Sequence, residues 1–152
     1  MTSQVRLNIG NVPFIRKGLP VPVVESDATV LQIGGRSGAI AQYTVMAQYS
    51  SGTNVGKWAP YDDVTDTDGR AYPSGILLQA ITEAAIKAGD VDAPILVGGA
   101  IYDEDQLVLE NSYTLATIIA TGTVYSTTVG RELRKLNLID EDTIDIQGYE
   151  NT

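Results

Sequence analysis

The chain has 152 residues, room for one domain with appendages, and contains neither Cys nor His. Those two absences exclude a disulfide framework, zinc-thiolate sites, thiol nucleophiles and every triad built on imidazole, so an enzyme here would work with carboxylates, Lys, Tyr or Ser alone. A net charge of −9 argues against nucleic-acid binding, which needs a basic footprint, and the apolar runs fall short of the roughly 20 residues that cross a bilayer.

The charge is unevenly spread. Residues 1–24 carry Arg6, Arg16 and Lys17 and no acid, a balance of +3, while the rest holds all 19 acids against seven bases, a balance of −12. Asymmetry of this kind commonly marks an interaction arm. The opening stretch lacks the continuous apolar segment of a signal peptide. Val5, Leu7 and Ile9 alternate with Arg6 and Asn8, the period of a strand with one apolar face. Pro13, Pro20 and Pro22, with Gly10 and Gly18 between, rule out a helix or a central strand. Residues 1–24 therefore read as an extended arm with a reach of roughly 70 to 80 Å at about 3.3 Å per residue. Its apolar side chains, Phe14 and Ile15 included, need cover. That cover is either the arm's own domain or a partner protein to which the arm adds a strand.

Residues 25–138 read as a β-rich body. The pattern predicts a strand over 28–33, a turn at Gly34–Gly38, and a longer strand over 39–49 with Tyr43, Val45 and Ala47 on one face. A loop over 50–56 and a partner strand over 57–61 complete a hairpin. The glycine cluster at 34–38 lacks the order of a phosphate cradle and reads as turn chemistry. Strands follow over 74–82, 94–101, 107–109 and 113–120, and residues 83–92 allow a short helix that Gly89 stops. In Thr127 to Leu136, Val129, Leu133 and Leu136 fall at helical spacing, giving an amphipathic helix capped by Thr127 or Thr128. Residues 139–152 form an acidic tail that adds an edge strand before fraying. The expected class is mainly β (α+β), with one short C-terminal helix and a free N-terminal arm.

Candidate chemistry is sparse. An EF-hand loop wants acids at its first, third and fifth positions, Gly at the sixth and Glu at the twelfth. With Gly69 as the sixth, Asp66 and Asp68 fit, but Val64 and Gly75 stand where the first and last ligands belong. Asp63, Asp66 and Asp68 are expected to be solvated turn residues, with no metal and no cofactor. The acids gather in loop clusters where like charges stay hydrated, so no carboxylate pair stands out for hydrolysis, and the chain is expected not to be an enzyme. Trp58, the only Trp, stands with Pro60 and Tyr61 as a core or subunit-contact candidate. A carbohydrate-binding or other interaction module is the alternative reading, with Tyr43, Tyr49, Tyr72, Tyr102, Tyr113 and Tyr125 spread among the strands.

From Thr29 to Leu109 the order of features resembles the lambda-type bacteriophage head decoration proteins. These features are a strand before a Gly-containing turn, Lys57-Trp58-Ala59-Pro60-Tyr61 with an Asp-rich loop closing on Asp68-Gly69, Gly75-Ile76-Leu77-Leu78, and Pro94 to Val97 running into Gly98-Gly99. The resemblance covers about half of the chain. It implies a homotrimer at threefold positions of an expanded head, on the outer capsid surface of the virion, clamping the major capsid protein. The implied binding arm holds Val5, Arg6, Leu7, Asn8, Ile9, Phe14, Ile15, Arg16 and Lys17; Trp58, Pro60 and Tyr61 are candidates for scaffold or trimer contact. No nucleic acid and no membrane is expected as a partner.

Overall fold

The computed structural model describes residues 14–15, 21–62, 70–119 and 127–140. Among these described residues nine strands and two short α-helices follow one another in this order: β1 (Val23–Val30), β2 (Val45–Gln48), β3 (Trp58–Pro60), β4 (Gly75–Leu77), α1 (Glu83–Ala88), β5 (Val91–Gly98), β6 (Ala100–Tyr102), β7 (Ile118–Ile119), β8 (Thr127–Thr128), α2 (Val129–Lys135) and β9 (Leu138–Asp140). The described chain is thus mainly β, as the pattern of Val, Ile, Thr and Tyr suggests.

Five strands close into a barrel in the order β1-β3-β2-β4-β5. The β2–β3 hairpin pairs Met46 with Pro60 and Gln48 with Trp58; β4 lies on the other side of β2 and carries the sheet to β5. β5 then pairs antiparallel along most of β1, from Val23 opposite Gly98 to Val30 opposite Val91. Closure rests on one parallel pair, Val30 with Trp58, and on the Leu31 N–H donating to the Trp58 carbonyl at 2.8 Å. Asp90 staples this seam: it accepts from the Gln32 N–H at 2.8 Å and from Lys57 Nζ at 2.7 Å.

All five barrel strands contribute alternate residues to one cluster, Ala28, Val30, Met46, Trp58, Leu77, Ala93 and Ile95, which fills the barrel. Ile86 from α1 joins it. Thr82 caps that helix by accepting from the Ala85 N–H, and Gly89 ends it. The opposite faces of β2, β4 and β5, through Val45, Ala47, Ile76 and Leu96, are buried in a second cluster with Tyr102 of β6, Ile119 of β7, Val129 and Leu133 of α2, and Leu138 of β9. Both faces of β2 and β4 are therefore covered, which is why these strands show continuous apolar sequence rather than alternation. Gly75 lets Trp58 close in on β4: a Cβ there would stand 2.6 Å from Ile95 Cγ2 and 3.3 Å from the Trp58 ring.

Several boundaries differ from the sequence reading for identifiable reasons. The body begins before residue 25, because β1 starts at Val23 and Phe14–Ile15 also join it. The long strand expected over 39–49 is broken at Tyr43, which takes a left-handed φ of 69°; only Val45–Gln48 remains β, although Tyr43, Val45 and Ala47 still share one core cluster. The run 94–101 is split by Gly99 at φ +68°, where a Cβ would meet the Val21 carbonyl oxygen at 2.3 Å. Residues 107–109 make a single bridge, Val108 with Thr44, instead of a strand. The helix is shorter by a few residues than expected, with Thr128 as its cap. Of the tail, Ile139–Asp140 complete β9, parallel to β6; residues 141–152 lie outside the described residues.

Candidate functional site

The site is the place where the N-terminal segment meets the body. Phe14 is fully buried, its ring stacked on Tyr43 at 4.0 Å between centroids and 7° between planes, with Tyr102 on its flank at 5.8 Å. Ile15 forms an antiparallel bridge with Tyr102, and the Asp103 N–H donates to the Phe14 carbonyl at 2.9 Å. An aromatic slot and a short piece of β pairing thus hold the root of the segment. Aromatic stacking adds to what the ring gains from the apolar area it removes from water.

The slot depends on the unusual backbone of Tyr43. A left-handed conformation costs an aromatic residue about 1–2 kcal/mol, and three hydrogen bonds hold it there. The Tyr43 N–H donates to the Leu77 carbonyl at 2.7 Å, its carbonyl accepts from Val108 N–H at 3.0 Å, and Thr44 Oγ1 donates to the Ala41 carbonyl at 2.7 Å. This geometry turns the Tyr43 ring toward Phe14. Burial pushes the Tyr43 hydroxyl above its ordinary range. Tyr102 is pushed up further, first by burial and then by the nearby charges of Asp140 and Glu104. Both phenols therefore stay neutral at physiological pH.

Beyond Asp103 the chain makes a single 3₁₀ turn, Glu104–Gln106, capped by the Asp103 side chain. Next to that turn lies an open groove of about 490 Å³ whose lining includes Glu104, Asp105, Leu107, Leu109, Tyr113 and Leu115. One wall is steadied by Tyr113, whose ring lies 5.7 Å from that of Tyr61 and whose hydroxyl donates to the Asp62 carbonyl at 3.3 Å. A half-buried bidentate ion pair between Arg36 and Glu110 fixes the loop behind it, and its hydrogen bonds raise the Arg36 pKa.

The structure distributes the expected site residues as follows. Val5, Arg6, Leu7, Asn8, Ile9, Arg16 and Lys17 lie outside the described residues. Phe14 and Ile15, expected on a binding arm, are instead part of the body: Phe14 is 0% exposed and has no face left for a partner. Trp58, Pro60 and Tyr61, the candidates for scaffold or trimer contact, are all buried within the single chain. Their rings also have no open face on which a sugar could stack. Asp63, Asp66, Asp68 and Gly69 lie outside the described residues; the ends of that loop, Asp62 and Arg70, face each other at 3.5 Å. Among the described residues no group of three or more acids could hold a metal ion, and no helix is long and apolar enough to cross a membrane.

Sequence reasoning missed the partnership of Tyr43 and Tyr102 around Phe14. Tyr102 had a legible signal, an aromatic closing an apolar strand just before an acidic turn. Tyr43 had none, because nothing in its neighbours marks a left-handed backbone. No family model, curated protein or solved structure matches this chain.

Proposed function

We propose that the chain is a capsid decoration protein of the lambda type, binding as a trimer at threefold positions on the outside of an expanded phage head and holding the major capsid protein shell together. Its role is contact area and grip rather than catalysis. The observation that carries the reading is the Phe14 anchor. Arg6 and the alternating apolar residues Val5, Leu7 and Ile9 precede a fixed root in the sequence, Phe14 between Tyr43 and Tyr102. A tethered segment presents itself to a nearby edge strand at high effective concentration, and three copies related by symmetry multiply a modest affinity per arm. The resemblance adds its support here: the residues that carry it, at 57–61, 75–78 and 94–99, supply β3, β4 and β5 of the barrel. An acidic body suits a particle surface, where it limits non-specific association, while the arm brings positive charge.

The test is binding to undecorated expanded heads of a lambda-type phage by a chain lacking residues 2–12. Phe14 is kept, so the variant is expected to fold as the full chain does, while occupancy of the heads falls at least tenfold. Undiminished binding overturns the arm's role, and a persistent monomer in sedimentation overturns the trimer.

A further inference from the structure

α2 presents a basic face that its own chain leaves unused. Arg131, Arg134 and Lys135 stand at i, i+3 and i+4, exposed on one side of the helix, while Val129, Glu132 and Leu133 are buried on the other. Arg36, Lys57, Arg70, Lys87 and Lys135 each face a carboxylate of the same chain. Among the described residues, Arg131 and Arg134 are the bases left without an ion pair, in a chain that holds 19 acids. Ile118 adjoins them and is 60% exposed: it pairs with Thr128, the cap of α2, whose hydroxyl accepts from the Arg131 N–H. An apolar knob thus stands beside a basic stripe.

The groove beside the 3₁₀ turn has the opposite character. Leu107, Leu109, Tyr113 and Leu115 pack on the second core cluster and remain partly exposed, Glu104 and Asp105 supply the charge, and no described base lines it. We propose that these two surfaces meet between copies of the chain: the Ile118 knob and the Arg131–Arg134 stripe of one protomer dock on the groove of the next, and three such contacts close a ring. The inference rests on the trimer of the decoration reading and names its contact. Opposite charges steer and register the partner, and an apolar residue entering an apolar groove supplies buried area. The stripe does not serve the groove of its own protomer. There α2 is pinned to the groove wall, with the Gly130 N–H donating to the Leu115 carbonyl at 2.9 Å, and none of its bases reaches the lining. Because the two surfaces differ, the contact is heterologous, and such contacts form either a ring or a filament. Knob and groove share one segment, since Ile118 lies two residues beyond the lining residue Ala116. Neighbouring contact faces suit a ring of three, where each copy is a wedge whose faces converge on the axis.

Sedimentation of the full chain reads the contact. R131E/R134E and, separately, I118E alter exposed side chains, so each is expected to keep the parent's melting midpoint. Each brings like charges together in the groove, and the trimer's dissociation constant is expected to rise on the order of a hundredfold. E104R/D105R is expected to dissociate likewise. Combining it with R131E/R134E restores the parent's net charge and opposite charges at the contact, and is expected to recover the trimer to within about tenfold of the parent. A parent that sediments as a monomer, a trimer unaffected by R131E/R134E or by I118E, or a folded exchange variant that stays dissociated overturns the proposal. Should the exchange variant melt early, I118E, which leaves both charged surfaces as they are, decides alone. Binding to phage heads is read separately. A trimer that responds as expected but never binds heads counts against the decoration reading alone, and a head-binding trimer indifferent to these changes counts against this contact alone.

Discussion

Replacing Phe14 by Ala tests whether the N-terminal root is part of the folded body. The ring is 0% exposed and packed face to face against Tyr43 at 4.0 Å, with Tyr102 beside it. Truncating a buried Phe costs about 3–5 kcal/mol, since the lost transfer energy is joined by a cavity that rigid neighbours cannot fill. Here Tyr43 is held by backbone hydrogen bonds on both its N–H and its carbonyl, so it cannot swing in, and a cost of about 4 kcal/mol is expected. In urea, with a slope of about 2 kcal/mol/M, that is a fall in midpoint of roughly 2 M at unchanged slope. Phe14→Leu, which refills most of the volume, is expected to lose less than half as much. A Phe14→Ala midpoint within about 0.3 M of the parent would refute the reasoning, because no buried and stacked ring is lost so cheaply.

The other expectations concern backbone and charge. Gly99→Ala is expected to destabilise by about 1–3 kcal/mol in the same urea titration, since it adds a Cβ 2.3 Å from the Val21 carbonyl oxygen at φ +68°; an unchanged midpoint would mean that the β5–β6 corner is not as tight as drawn. The Asp90 pKa is lowered from 3.8, first by the Lys57 hydrogen bond and then by the Gln32 N–H. With the folded pKa below the unfolded one, Asp90 contributes stability that is complete above about pH 4 and is lost as pH falls through its folded value. Asp90→Asn should therefore flatten the acid limb of the melting-temperature profile below pH 4, and an identical acid limb would contradict the staple.

How much of this was legible in the sequence depends on the kind of constraint. The β2–β3 hairpin, α1 with its Gly89 stop and α2 with its Thr128 cap are local features, written in turn residues, spacing and caps, and all three are present. Closure of the barrel was not legible, since β2 and β4 are covered on both faces and their residues carry no alternation to say which side is inner. The left-handed Tyr43 was hidden for the reason given above, and with it the reach of the strand before β2. At the candidate site, composition marked residues 1–24 as distinct but could not say that Phe14 belongs to the core. A Phe amid prolines and bases looks like bait for a partner until the slot between Tyr43 and Tyr102 is seen.

The pairing of β1 with β5 bears on how the molecule is made. Their partners are separated by 61 to 75 positions along the chain, from Val30 with Val91 to Val23 with Gly98. On a ribosome β1 emerges early and must wait until residue 98 is free before its longest ladder can form, a non-local step that is intrinsically slow. During that wait the middle of β1, exposed Glu25, Ser26 and Asp27, presents charge at an otherwise open strand edge, the usual protection against the wrong neighbour. The nascent chain carries its own safeguard in a strand that must wait for a distant partner.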